Sequence, residues 1–176
     1  MKNLSGRSAI VTGGFSGMGF AIAAALAEAG ANVAVGSYVA PAGADRSDAA
    51  YYPGAEEIER VRSALAAHGT SVHAAHLDVR DSDVTNRFVA DAEAAVGPAD
   101  ILVNAAGTTA EQPVCGHSDA LWDKIVDTNL TGAFRVTRAV LPGMIERGWG
   151  RIVNIGSTAA SVGWKDNPAY CASFSA

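Results

Sequence analysis

The sequence predicts an α/β fold, a doubly wound parallel sheet with helices on both faces. Three observations point there. Short runs rich in β-branched residues alternate with longer segments of helical spacing, which is the pattern of parallel βαβ units. The first run passes into a helix through a glycine-rich loop, TGGFSGMG, Thr12 to Gly19. A later run, ADILVNAAG, is apolar on both faces, as a strand covered by helices above and below should be.

The elements follow in order. SAIVTGG is the first strand; from Ser16 onward Met18, Ile22, Leu26 and Ala29 fall on one helical face, and Gly30 offers a stop. ANVAVGSY is the second strand. Residues 39 to 54, with Pro41, Gly43, Pro53 and Gly54, read as a long loop, after which Ile58, Val61 and Leu65 mark a helix. SVHAAHLDV is the third strand, and Val84, Phe88, Ala92 and Val96 trace a helix that Asp81 or Ser82 can cap. ADILVNAAG is the fourth strand. Ser118 can cap a long helix to about Arg147, its apolar face including Trp122, Val126, Leu130, Ala133, Val140 and Met144, with Pro142 kinking or weakening the last turns. GRIVNIGS is the fifth strand, and Pro168 opens a final helix.

At 176 residues and 49% hydrophobic, the chain has apolar material for the core of one domain, residues 1 to 176. The net charge of -5 is spread along the chain without a Lys/Arg block, which argues against nucleic acid as a partner. No stretch has the length to cross a bilayer, and nothing reads as a secretory signal. Cys115 and Cys171 are far apart and lack a CxxC partner or a nearby ligand cluster, so no metal site is expected and a reduced, cytoplasmic setting is.

A helix N-terminus presents unpaired N–H groups and partial positive charge, so it stabilises a phosphate wherever the backbone can approach without side chains in the way. Gly13, Gly17 and Gly19 supply that access. The spacing TGxxxGxG, together with VNAAG at Val103 to Gly107, resembles the short-chain dehydrogenase/reductase family, and the resemblance covers essentially the whole chain.

That resemblance implies a Rossmann-like fold and an NAD(P) cofactor. Gly13, Gly17, Met18 and Gly19 would line the pyrophosphate, and Asp78 with Val79 would hold the adenine. Asn104, Ala105, Ala106 and Gly107 match the stretch that stabilises the central sheet and borders the ribose. An acidic residue at the end of the second strand would bond the ribose 2′-hydroxyl and select NAD; here Ser37 and Tyr38 stand there instead, which leans slightly to NADP. Ser16 occupies a position where NADP-preferring relatives often carry a basic residue, and Arg46 of the long loop could reach in.

The family transfers a hydride between nicotinamide and a carbonyl or secondary alcohol, a small-molecule partner. Tyr170 matches its general acid/base and also borders the cofactor; Ser157 matches the residue that polarises the substrate oxygen; Asn129 completes the set in order and spacing. Taken singly, Ser157 reads equally as a strand-end cap, Tyr170 as a packing aromatic and Asn129 as a satisfied polar group in a helix. The family's lysine, four residues after the tyrosine, is Phe174 here. SVGWKDNP, Ser161 to Pro168, should border the substrate, and Trp164 suggests an apolar or ring-shaped one.

Family members continue beyond the length seen here, so the C-terminal strands are expected to be missing, leaving the fifth strand as an apolar edge with Ile152, Val153 and Ile155. The family is usually homo-oligomeric, and the oligomer is open for this chain. Two alternatives to an active enzyme follow from Phe174 and the length: a shortened nucleotide-binding module, or a piece of a longer enzyme.

Overall fold

The computed structural model describes residues 4–40 and 53–176. The loop residues Pro41, Gly43 and Arg46 lie outside them.

Five strands form one parallel sheet. In chain order the elements are β1 (Ser8–Thr12), α1 (Gly17–Glu28), β2 (Asn32–Ser37), α2 (Glu56–Ala66), β3 (Val72–His76), α3 (Ser82–Val96), β4 (Ile101–Asn104), α4 (Asp119–Val126), α5 (Gly132–Glu146), β5 (Arg151–Asn154) and α6 (Pro168–Ser175). The strand order is β3-β2-β1-β4-β5. β1 is therefore central, with Val11 opposite Val35 on one side and Val103 on the other. The chain leaves β3 at one edge and returns on the far side of β1, so the β1/β4 border is the point where the winding reverses and where open α/β sheets place ligands.

The period-2 geometry of a strand divides the core in two. Ile10, Ala34 and Leu102 point to one face and pack under α3 and α5 with Phe88, Val89, Val136 and Val140. Ala9, Val11, Val33, Val35 and Val103 point to the other, under α1 and α2 with Ala23, Ala27, Val61 and Leu65. Among the described residues β5 lies at the sheet edge with Ile152 and Val153 exposed, while Ile155, expected with them, is partly buried against the core under α1 and α2.

Caps and stops are where local chemistry puts them. Asp81 accepts the Asp83 and Val84 amides at the start of α3. Ser118 accepts the Leu121 amide at the start of α4. Gly30 takes φ +94° at the end of α1.

Two helix faces differ from the sequence reading. On α1 the buried residues are Gly19, Ala23 and Ala27, while Met18 is 67% exposed. The helix lies so close to the strand end that a Cβ on Gly19 would overlap the Gly13 carbonyl oxygen, and only a stripe of small residues tolerates that distance. The long helix expected to run to Arg147 is broken by a π-helical turn, Asp127–Thr131, between α4 and α5. A π turn takes more residues than an α turn, so a 3.6-residue period drawn across it loses phase. The buried positions are Ile125, Asn129, Gly132, Val136, Val140 and Met144; Trp122 and Leu130 are exposed. Pro142 lies within α5, which nevertheless continues to Glu146.

Leu102 is fully buried in the central sheet. Leu102→Ala should cost about 2–5 kcal/mol, the range for deleting a buried leucine side chain, read as a lowered urea midpoint with an unchanged denaturant slope.

Candidate active site

The site begins with two loops that leave neighbouring strands side by side. Thr12, the last residue of β1, turns its hydroxyl oxygen toward the β4 loop and accepts the amides of Ala105 (3.1 Å) and Ala106 (3.0 Å). Gly13 then crosses so near that a Cβ would sit 2.8 Å from the Ala105 carbonyl oxygen. At the other end of the glycine loop the Phe15 amide donates to Ser37 Oγ at 3.1 Å. Gly17, with φ +51°, has no atom within 4 Å of where a side chain would point. The first amides of α1 thus open into free space, with no acidic side chain in the first turn to repel an anion.

That space is a cleft of about 380 Å³ at the winding reversal. It brings together Gly13, Ser16, Gly17, Met18, Gly19, Ser37, Asp78, Val79, Ala105 and Gly107, all singled out in the sequence, from four separate strand ends. Tyr38, Arg80, Thr108, Thr109, Lys124 and Thr128 line it too. Thr108 and Thr109 continue the VNAAG loop and were within reach of sequence reasoning. Lys124 and Thr128 come from α4 and the π turn, and no local pattern announces them.

Asp78 and Arg80 form a bidentate ion pair, 2.9 and 2.7 Å, and the Arg80 guanidinium stands 5.3 Å from the centre of the Tyr38 ring. Burial works to raise the Asp78 carboxyl, but the hydrogen bonds and charge of Arg80, helped by His76, outweigh it and hold the carboxyl below the usual aspartate value. An open groove of about 640 Å³ next to the cleft shares Asp78, Arg80 and Lys124. Its other charged walls, Asp81, Asp123 and Asp127, make it a poor place for a phosphate.

Asn104 does not line the cleft. Its Nδ2 donates to Thr137 Oγ1 (3.1 Å) on α5 and to Asn154 Oδ1 (2.8 Å) on β5, so its side chain holds the sheet together. Of its two expected tasks the structure displays the one in the sheet.

The catalytic candidates lie to one side of the cleft and none is part of its lining. Ser157 follows β5 and accepts the Ala159 amide at 3.1 Å, capping a 3₁₀ turn, Thr158–Ala160. α6 lies against the same turn, where the Ser175 hydroxyl, within 2.8 Å of the Cys171 carbonyl of its own helix, stands 3.3 Å from the Ala160 carbonyl. Tyr170, half-buried on α6, stacks on Trp164 with ring centres 5.8 Å apart and meets Phe174 edge-on at 4.9 Å. No hydrogen bond joins Ser157 to Tyr170 among the described residues. Asn129, buried in the π turn, accepts the Thr108 amide (2.8 Å) and donates to the Thr108 carbonyl and to Ser173 Oγ (both 3.0 Å).

Residues 7–176 match the family described as short chain dehydrogenase. The chain is 36% identical to 2,3-dihydro-2,3-dihydroxybenzoate dehydrogenase of Bacillus subtilis over 98% of its own length and 60% of that protein. It is 37% identical to an acetoacetyl-CoA reductase of Allochromatium vinosum over 94% of its length and 62% of that protein. Its structure resembles that of a variant actinorhodin polyketide ketoreductase with NADPH, with a TM-score of 0.85 and 36% identity, covering 99% of this chain and 62% of that one. Carveol dehydrogenase from Mycobacterium avium in complex with NAD shares the fold, with a TM-score of 0.90 at 24% identity over 99% and 63% of the two chains. The chain thus spans about three fifths of the relatives it matches.

The Asp78–Arg80 pair gives a pH signature. By carbon NMR Asp78 should titrate below the ~3.9 of an unperturbed aspartate, and Arg80→Ala should move it upward, since burial is then opposed only by the residue-80 backbone amide and His76. Because the folded-state value is the lower one, the pair's contribution to stability is complete above about pH 4 and is lost as pH falls through the Asp78 value; Asp78→Asn should remove that dependence.

Proposed function

The chain belongs to the short-chain dehydrogenase family, and on that premise we propose that it is an NAD(P)-dependent oxidoreductase acting on a carbonyl or secondary alcohol. The observation that carries the proposal is the convergence of the glycine loop, the β2 and β3 ends and the VNAAG loop on one cleft at the winding reversal. The residues present fit a dinucleotide: Gly13 and Gly19 let the β4 loop and α1 close tightly on the end of β1, Gly17 is open, and the α1 amides would hold the pyrophosphate. Asp78, Val79 and the Tyr38–Arg80 wall would take the adenine, and Gly107 with Ala105 the ribose. Ser37 puts no carboxylate at the end of β2, which supports a slight preference for NADP.

When bound, the nicotinamide supplies or takes up the hydride. The chain's own part is to orient and to move a proton. The Ser157 hydroxyl would donate to the substrate oxygen and polarise it; the Tyr170 hydroxyl would give its proton to that oxygen in reduction and take it back in oxidation. Asn129 is a positioning residue, fixing the Thr108 backbone against α6. The substrate would be a small molecule, and Trp164 beside Tyr170 supports an apolar or cyclic one. Among the described residues no helix is long and apolar enough to cross a membrane.

Phe174 supports a second reading, that this chain binds nucleotide with impaired turnover. A free tyrosine titrates near ~10, and the family's lysine supplies the positive charge that favours its ionised form. At 174 an aromatic ring meets Tyr170 edge-on instead, with no charge and no hydrogen to donate.

Fluorescence titration with NADPH and NADH should show saturable binding of at least one, tighter for NADPH; binding of neither would sink both readings. On a panel of carbonyl substrates Phe174→Lys should raise kcat/KM by roughly 10- to 100-fold, part of the 10²–10⁴ that general acid–base catalysis contributes. Adding Tyr170→Phe should abolish the gain. An unchanged rate in the lysine variant would show that Phe174 does not limit the chemistry.

A further inference from the structure

Helix α6 carries Tyr170 yet has little apolar anchorage: the buried residues on it are Ala169 and Ser173. Its polar contacts include Thr109 and Gln112 of the loop after β4, which bond the residues at the helix start, and Asn129 of the π turn, which itself grips Thr108 of that loop.

The first contact is at the start of the helix. Asn167 occupies the N-cap, where asparagine ordinarily accepts a free amide of the first turn. It makes no such bond. Instead Oδ1 accepts the hydroxyl of Thr109 at 2.9 Å, and Nδ2 donates to the Lys165 carbonyl at 3.1 Å. Asn167 is 4% exposed, so this diversion from capping is a buried, committed contact. Next to it, the Gln112 amide donates to the Asp166 carbonyl at 2.6 Å. Asp166 is the residue other than glycine with positive φ among those described, at +57°.

The second contact lies one residue short of a turn beyond Tyr170. The Ser173 hydroxyl donates to the Tyr170 carbonyl (2.9 Å) and accepts from Asn129 Nδ2, whose carboxamide is otherwise engaged by the Thr108 backbone. Both amide hydrogens of Asn129 are used, and Ser173 both donates and accepts. Buried networks satisfied in this way rigidify what they join. Thr108 and Thr109 are themselves part of the cleft wall.

We propose that Thr109, Asn167 and Ser173 are positioning residues that fasten the Tyr170 helix to the wall of the nucleotide cleft, so that occupancy of the cleft and the placement of Tyr170 are coupled. The coupling half rests on the nucleotide-binding reading above; the fastening half stands without it.

Hydrogen–deuterium exchange on the 176-residue chain tests both. Without ligand, Thr109→Val, which keeps the shape and removes the donor, and Ser173→Ala should each accelerate exchange of the α6 amides by about 2- to 10-fold, the effect of one net hydrogen bond. The β1 and β4 amides should be unchanged, and Thr109→Ser should restore the original rate. With NADPH, α6 should gain protection in the unaltered chain and none in the Ser173→Ala variant, whose substitution lies outside the cleft lining and which should still bind. Unchanged α6 exchange in the ligand-free variants, acceleration spread evenly over the sheet, or equal NADPH protection in both chains would each overturn the proposal. Should NADPH not bind at all, the oxidoreductase reading falls, while the ligand-free comparison still decides whether the helix is fastened.

Discussion

Everything at the functional end of this molecule depends on how closely two strand ends approach. Thr12 and Gly13 meet Ala105 and Ala106 with two hydrogen bonds to one hydroxyl and no room for a side chain. Parallel pairing of β1 with β4 brings the two loops into register, since Thr12 lies opposite Asn104. The cleft is what remains between those loops once the strands have separated. A Cβ at Gly13 would push them apart and move both its walls.

Much of this was legible in the sequence, for a physical reason. Strands of a parallel sheet are short, β-branched and buried on both faces, and the glycine motif must be contiguous because it is a single turn. Hence all five strands and the glycine loop were predicted at their places. Helix faces were harder. The α1 stripe is set by how near the helix lies to β1, which favours Ala23 and Ala27 over the larger Ile22 and Leu26. The π turn Asp127–Thr131 breaks the phase of a 3.6-residue period drawn through it, so Trp122 before it and Leu130 within it fall on the exposed side and not on the expected buried face.

Site residues divide in the same way. Those inside a motif are legible as candidates from the sequence; contacts between residues far apart along the chain are not. Arg80 meets Tyr38, Thr109 meets Asn167 at a separation of 58 residues, and Ser173 meets Asn129 at 44. From the sequence Asn129 reads as a polar group within a helix, and only the folded chain reveals that its carboxamide spans from the β4 loop to α6. Asn104 shows the converse: it stands in a contiguous motif, yet its side chain faces α5 and β5 and not the cleft.

The bond between the Phe15 amide and Ser37 has one more consequence, alongside the Thr12 clamp. Both hold the glycine loop in its open curve through groups internal to the protein. A ligand arriving there need not organise the backbone that receives it, so little conformational entropy is surrendered on association. Binding at this end of the cleft should then carry the modest heat-capacity change of desolvated surface, without the larger one that accompanies a segment folding around its ligand.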